Sequence, residues 1–505
     1  MKSLKTFSDS ASIHTLTWAA ILNKFEPYKH VRRIQIRIVK AVKENRWGKV
    51  KCLSRLLTNS FHAKLLAISK VTSNKGAKTA GIDKVTWQTD KQKINAIEQL
   101  NSENYKAQPL RRLYIPKKDK TKLRPLSIPT MKDRTMQALH LLALEPIAET
   151  LGDPNSYGFR KFRSCADATE KLFNVLCHKY DAKWIYEADI KSCFDQISHT
   201  WLLENIPMNK KVLNKWLKAG YIENYKQFKT TEGTPQGGII SPVLMNMTLD
   251  GLEKVIRQKY PAWKKSKVNF VRYADDFVIT SPSKELIERE IAPLVNEFLA
   301  QRSLQISQEK TRITEMEIGF NFLSQNFRKY KKTLLIKPAK NSIKSFKEKV
   351  KQTIKDAKGQ AAHTLISKLN PLIRGWANYH KHIVSKRTFW KLSKYIFDRL
   401  LKWAKHQHSN KKINWIWDKY FKTGRFAVKV LGKDNKTRIF QLFQIGLLPI
   451  RRHTKIKSEA NPFDSAFDDY FVKRRKDKTK KALITHQKCI ILLENKKVNL
   501  TSRAV

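Results

Sequence analysis

The stretch VNFVRYADDFVITS, residues 268–281, sets two adjacent aspartates, Asp275 and Asp276, inside an otherwise apolar run. Val268, Phe270 and Arg272 alternate with Asn269, Val271 and Tyr273, and Phe277, Val278 and Ile279 follow. That pattern predicts strand, tight turn, strand, with the carboxylates at the tip of a hairpin. Aspartate is a good turn residue, so a solvated pair would account for the two by themselves. The other account is a divalent cation, because hard oxygen ligands at close quarters suit magnesium. The rest of the chain decides between them.

With 505 residues the chain exceeds one ordinary core, and about two to four domains are expected. Lys and Arg number 101 against 43 Asp and Glu, a net charge of +58, which makes a polyanion, nucleic acid first, the expected partner. No run of 18 apolar residues and no lipidation signal is present, so a membrane surface is not expected to be that polyanion. The five cysteines lie far apart without a C-x-x-C pair, which argues against a disulfide framework or a cysteine-rich zinc site and fits a reducing compartment. Residues 1–18 contain no apolar core of a signal peptide. Heavy use of Lys, Asn and Ile suits an AT-rich genome, bacterial or organellar, with a plastid ahead of a mitochondrion.

Outward from the hairpin, residues 31–70 repeat apolar positions at helical steps with basic residues between them, as amphipathic helices do. Residues 73–83, SNKGAKTAGID, read as a loop. LRRLYIPKKDKTKLRPLSIP, residues 110–129, predicts two short strands joined by a Lys-rich turn, either a clamp for phosphates or a solvated turn; residues 131–151 predict a helix. KWIYEADIKSCFDQIS, residues 183–198, begins as a strand ending at Asp189, with Asp195 beyond it. GTPQGGIISPVLMNMTLDGLEKVI, residues 233–256, is a Gly/Pro-punctuated loop leading into a helix, which brings Gln236 and backbone N–H groups close to whatever lies opposite.

Residues 336–425 differ in character, with 23 Lys and Arg against 4 Asp and Glu and 12 interleaved aromatics in helical patterns. A separate basic α-helical domain is expected. Its aromatics serve a core, and its sign asymmetry suits structured RNA, where shape and stacking dominate recognition.

Adjacent strands of one sheet would bring Asp189, Asp275 and Asp276 together, a cluster that needs compensation. Two Mg²⁺ ions roughly 3.5–4 Å apart would neutralise it and support an in-line nucleotidyl transfer, one at a 3′-hydroxyl and one at the leaving pyrophosphate. A single structural metal would leave the basic hairpin, the Gln-Gly-Gly loop and the overall charge unexplained.

In order along the chain, SNKGAKTAGID, YIPKKDKTKLRPLSIPTMKDRTMQ, NSYGFRKFRSCADA, EADIKSCFDQISH, GTPQGGIISPVLMN, RYADDFVI, LQISQEKTRI, GFNFLSQNF and LIRGWANYH resemble the motif series of group II intron-encoded proteins, which are reverse transcriptases and maturases. The series covers about residues 18–425, and as an ordered set it is specific. The resemblance implies an α+β right-hand polymerase of palm and fingers followed by an all-α thumb/maturase domain. Its segments would be 1–85, an N-terminal helical extension and fingers entry; 86–330, reverse transcriptase fingers and palm; and 331–425, the thumb or domain X. The remaining 426–505 would be a basic C-terminal region, DNA-binding or a degenerate endonuclease remnant.

Carried over position by position, the resemblance makes Asp189, Asp275 and Asp276 the catalytic ligands of two Mg²⁺ ions. Lys117 and Arg124 would meet the triphosphate of the incoming dNTP, and Gln236 would lie along nucleotide and template. Phe194 would sense the sugar 2′-position, with a core phenylalanine as the alternative, and Lys310 would be a phosphate contact or general acid. Arg374, Trp376 and Tyr379, in the run Arg374–Tyr379, would grip the intron RNA. Implied partners are group II intron RNA, a DNA target and primer, and dNTPs, without a membrane, and with a homodimer as the candidate assembly.

Many relatives carry an H-N-H endonuclease after a segment like NPFDSAFDDYFVKRR, whereas here only HQKCIILLENKKVNLTSRAV follows. His486 and Cys489 are at most a remnant of a site needing about four ligands. No endonuclease activity is therefore expected, and mobility would draw its primer elsewhere, as from a nascent strand at a replication fork. The alternative function is a splicing-only RNA-binding maturase whose polymerase site is idle.

Overall fold

A computed structural model describes residues 16–116, 123–178, 182–261, 266–431 and 434–477. Lys117, His486 and Cys489 lie outside the described residues. The chain divides into two units, each discontinuous in sequence. The first comprises Met1–Ala168, Tyr186–Ile313 and Ile456–Phe471, and the second comprises Thr169–Ile185, Thr314–Lys455 and Val472–Val505.

Among the described residues the first unit opens with four helices, Trp18–Phe25, Pro27–Lys43, Trp47–Asn59 and Phe61–Thr72. Pro27 stands at the first helical position, where its missing N–H costs nothing. Val31, Ile38, Val39 and Val42 form the buried stripe while Arg33, Arg37 and Lys40 face outward. That stripe packs on the helix Met131–Leu151, which is buried along most of its length and is started by the Thr130 hydroxyl accepting from the Asp133 N–H.

The strands in chain order are β1 Leu110–Pro116, β2 Leu123–Ile128, β3 Trp184–Asp189, β4 Tyr221–Glu223, β5 Lys226–Phe228, β6 Asn269–Tyr273, β7 Asp276–Ser281 and β8 Arg312–Glu315. One sheet has the order β2-β1-β4-β5 and the other β6-β7-β3-β8. In the first, β1 and β2 are antiparallel with Ile115 opposite Arg124, and β4 runs parallel to β1. The β4–β5 turn places both Asn224 and Tyr225 at positive φ, as two-residue hairpin turns of matching twist require.

In the second sheet the hairpin at 269–281 forms as its pattern predicts, with Tyr273 opposite Asp276. Its alternation does not carry through, because Phe270, Val271 and Arg272 are all buried. The strand is covered on both faces, and such strands read as near-continuous apolar runs. The helical stretch expected to follow the Gln-Gly-Gly loop breaks into Ser241–Leu249 and Leu252–Lys259 at Gly251, whose φ of 98° no side-chain-bearing residue adopts comfortably.

Ile456–Phe471 belongs to this unit. Arg32 donates to the Pro462 carbonyl (2.8 Å) and pairs with Asp468 (2.7 Å), Lys43 pairs with Asp464, and Arg163 donates to the Ser458 carbonyl (3.1 Å). Asp167 accepts from the Ile456 N–H (2.7 Å).

The second unit contains an antiparallel sheet of order β11-β10-β9, where β9 is Phe320–Phe322, β10 is Gln325–Tyr330 and β11 is Thr333–Pro338. Four helices follow, Lys340–Lys355, Ala362–His380, Lys386–Gln407 and Ile413–Tyr420, then a hairpin of β12 Ala427–Leu431 and β13 Thr437–Gln441. Phe346, Leu365, Leu369, Phe389, Leu392 and Leu400 are among the residues of its core. Among the described residues no helix is long and apolar enough to cross a membrane.

Candidate active site

The turn between β6 and β7 consists of Ala274 and Asp275, with Ala274 at φ 60°. The segment Asn155–Gly158 flanks β6: Arg272 N donates to the Asn155 carbonyl (3.0 Å) and Tyr157 N to the Arg272 carbonyl (2.9 Å). Gly158 lies so close beneath the turn that a Cβ there would sit 2.3 Å from the Ala274 nitrogen. Only glycine permits that approach.

Arg272 fixes the hairpin from inside. It is 0% exposed, and its guanidinium donates to Asn246 Oδ1 (3.2 Å) and the Ala274 carbonyl (3.3 Å) and pairs with Asp250. Asn246 in turn donates to the Gly158 carbonyl (2.9 Å). Burial pushes the Asp250 carboxyl up to about 6, with Arg272 pulling the other way. Asp153 accepts from the Gly251 N–H (3.1 Å), which ties the helix break into the same network.

β7 and β3 are neighbours in the sheet, so Asp189 at the end of β3 faces Asp275 and Asp276. Ser307 N donates to the Asp189 carbonyl (2.8 Å), and this pairing brings Lys310 onto the Asp189 carboxylate. The bond to Asp189 raises the Lys310 ammonium above its ordinary range. Crowding by protein, then Asp275 and Asp189, raises Asp276 to about 7 although solvent reaches it. Asp275 is raised as well, by burial and then Asp189, while the charges of Lys310 and Arg124 lower it. Cys193, buried among the same acids, has its thiol pushed up chiefly by burial.

Arg124 on β2 is exposed, with its charge acting on Asp275. Phe194 is half-buried beside Phe159, ring centroids 6.4 Å apart and edge to face. Gln236 Nε2 donates to both oxygens of Asp195 (2.9 and 3.1 Å), and its carbonyl accepts from Ser127 N on β2 (2.7 Å).

In the second unit Arg374 is exposed, its guanidinium 5.3 Å from the Phe443 ring. Trp376 and Tyr379 are held by the protein itself. The Trp376 ring stacks on Phe346 (4.9 Å) and its N–H donates to Ser342 (3.2 Å), while the Tyr379 hydroxyl donates to the Leu323 carbonyl (2.7 Å).

The donor set of Asp189, Asp275 and Asp276 has the chemistry of a hard divalent cation site, oxygen ligands whose mutual repulsion already favours protonation. Among the described residues no group of three or more His, Cys, Asp and Glu is converged as a ligand set. The Asp189 carboxylate that pairs with Lys310 also lies within hydrogen-bonding reach of the Asp276 side chain. Sequence reasoning passed over Arg272, Gly158 and Asp250. The signal for Arg272 was an arginine within an apolar strand, which only a buried partner can satisfy.

Three family models match in order: the N-terminal domain of reverse transcriptase over residues 18–100, reverse transcriptase (RNA-dependent DNA polymerase) over 115–327, and the group II intron, maturase-specific domain over 343–421. Group II intron-encoded protein LtrA of Lactococcus lactis subsp. cremoris is 33% identical over 331 residues, 52% of this chain and 54% of that protein. Protein YkfC of Escherichia coli K12 is 33% identical over 320 residues, 54% of this chain and 82% of that protein. The chain thus spans about half the length of the first relative. A solved structure of telomerase from Candida albicans, in complex with a telomeric RNA fragment, shares 13% identity at a TM-score of 0.35, covering 63% of this chain and 65% of that one. On the three ordered domains and the extent of the YkfC match, the chain belongs to the group II intron-encoded reverse transcriptase and maturase family, polymerases of mixed helices and sheets that use divalent metal ions.

Proposed function

We propose that the protein is an RNA-directed DNA polymerase that also binds a group II intron RNA and promotes its splicing and mobility. The observation that carries this is the juxtaposition of Asp189 with Asp275 and Asp276 on adjacent strands, beneath the cations Lys310 and Arg124. Asp189, Asp275 and Asp276 would hold two Mg²⁺ ions, which when bound lower the cost of deprotonating a 3′-hydroxyl and offset charge on the leaving pyrophosphate. Arg124 and Lys310 meet the triphosphate, Arg124 by its fork of donors. Lys310, held charged by Asp189, brings a fixed positive charge to the pyrophosphate, and release of its bond to Asp189 would be needed before it could act as general acid there. Phe194, braced by Phe159, closes the space beside the sugar 2′-carbon, and Gln236 lies along nucleotide and template.

The helices of residues 340–420 serve as an all-α thumb and maturase domain. Its exposed basic residues, Arg374 among them, contact intron RNA, while Trp376 and Tyr379 shape the surface on which that contact forms. The test is primer extension on an RNA template with Mg²⁺, comparing wild type with Asp275→Asn, alongside assisted splicing of the cognate intron. Extension by wild type alone, with splicing retained by both, is the expected result. No extension by wild type despite tight, salt-sensitive binding of intron RNA would leave a splicing cofactor with an idle site.

A further inference from the structure

We propose that a cavity in the first unit, lined by Trp47, Trp201 and Asp250, is a binding site for a small organic cation, an ammonium carried on an apolar or aromatic body. None of Asp189, Asp275 and Asp276 lines it, and the proposal does not depend on the polymerase reading above.

The cavity has a volume of about 470 Å³, within the range of pockets that take small molecules. Trp47, Leu151, Trp201 and Met247 give it apolar walls. Trp47 is 41% and Leu151 50% exposed, and large apolar side chains left open to one concavity mark a surface that binds something. Trp201 is backed by the Arg302 guanidinium, 5.1 Å from its ring centroid, and Arg302 is held in turn by the carbonyls of Thr248 (2.7 Å) and Phe298 (2.7 Å). The indole is thus fixed before anything binds, which lowers the cost of binding.

Charge selects the class of occupant. The charged residues that line the cavity are Asp250, Glu204 and Lys210. The Lys210 ammonium already donates to the carbonyls of Leu203 and Glu204, in the last turn of the helix His199–Asn205. In a chain of net charge +58, a concavity with two carboxylates to one engaged ammonium disfavours the polyanion that the rest of the surface attracts.

Asp250 supplies the anchor. Asp153 N (3.3 Å) and Arg272 both donate to its Oδ1, and among the described residues nothing donates to Oδ2. The side chain is 11% exposed. Arg272 holds the carboxylate in place, so its second oxygen is an acceptor already oriented. A neutral apolar occupant would strip water from that oxygen and give nothing back, whereas an ammonium donates to it with charge assistance. Indole faces attract the same charge.

The experiment is calorimetric titration of the purified full chain without nucleic acid at pH 8, where the Asp250 carboxyl, raised by burial to about 6, is charged. The probe is phenethylamine, an ammonium at that pH, and the control is phenylethanol, of nearly the same shape without the charge. One amine per chain is expected to bind with a Kd of about 1 mM or tighter. The alcohol should bind about tenfold more weakly or worse, the worth of a charge-assisted hydrogen bond, and Asp250→Asn should cost the amine a similar factor. Trp47→Ala, at an exposed position away from the Arg272 network, should weaken the amine about three- to tenfold, and it carries the test if melting shows Asp250→Asn unfolded. Equal binding of amine and alcohol, several equivalent sites per chain, an affinity indifferent to Trp47→Ala, or no saturation at about ten times the expected Kd each overturns the proposal.

Discussion

Replacing Arg272 with methionine tests whether the buried guanidinium organises the hairpin of the active site. The side chain is fully enclosed and has three separate partners, Asn246, the Ala274 carbonyl and Asp250. Methionine fills much of the volume but leaves the Asp250 carboxyl, 11% exposed, without its cation. Breaking a buried ion pair by removing one partner costs about 3–5 kcal/mol, most of it from the stranded charge. The variant Arg272→Met/Asp250→Asn removes that charge and should recover at least about 1 kcal/mol of the loss, which is a coupling between neighbours. The assay is denaturant unfolding of the full chain followed by a probe in the first unit, with primer extension measured on the same preparations. A single-variant cost below about 1 kcal/mol, or a double variant whose cost is the sum of the two singles, would refute the reasoning.

Gly158→Ala forces a methyl group to within 2.3 Å of the Ala274 nitrogen, so the turn must move, and extension should fall on the order of a hundredfold in protein that still binds RNA; unchanged extension would contradict the close approach. Burial lowers His140 to about 4, and the imidazole sits 3.3 Å from the Ser102 hydroxyl. A folded pKa below the unfolded one means the contribution of neutral His140 is complete above pH 6.5 and is lost as pH falls toward 4, with a slope up to about 1.4 kcal/mol per pH unit. His140→Gln should flatten that acid limb in pH-dependent unfolding, although His380, lowered to about 3, acts in the same direction in the second unit. Mg²⁺ added to chelated protein should raise the melting temperature of wild type, by about 2.7 kcal/mol of stabilisation at a hundredfold excess over Kd, and raise that of Asp275→Asn much less; equal shifts would place the ion elsewhere.

The hairpin was legible because its signal is local: apolar residues on either side of two turn-forming aspartates. The helix at 131–151 was legible for the same reason, a capping threonine before a long apolar pattern. The adjacency of β3 and β7 followed once three carboxylates needed a common counter-charge. What escaped was long-range. Nothing near Arg32 or Lys43 in sequence signals that their partners are Pro462, Asp464 and Asp468, more than 400 residues away. The burial of Arg272 is equally invisible in a pattern that counts arginine as outward-facing. Trp376 and Tyr379 show a second long-range feature: aromatics in a basic run suggest stacking on bases, and nothing local signals that their rings and polar tips also meet Phe346, Ser342 and Leu323.

The return of Ile456–Phe471 to the first unit gives the chain an assembly schedule. On the ribosome, the N-terminal helices emerge with Arg32 and Lys43 lacking their carboxylates, and they wait while residues 314–455 are made, threaded and folded as an insertion. The first unit is thereby completed only after residues 314–455 of the second have been synthesised. A nascent chain halted between the two would display the carboxylates of the hairpin without the strap that finishes their unit, a built-in delay between making the site and stabilising it.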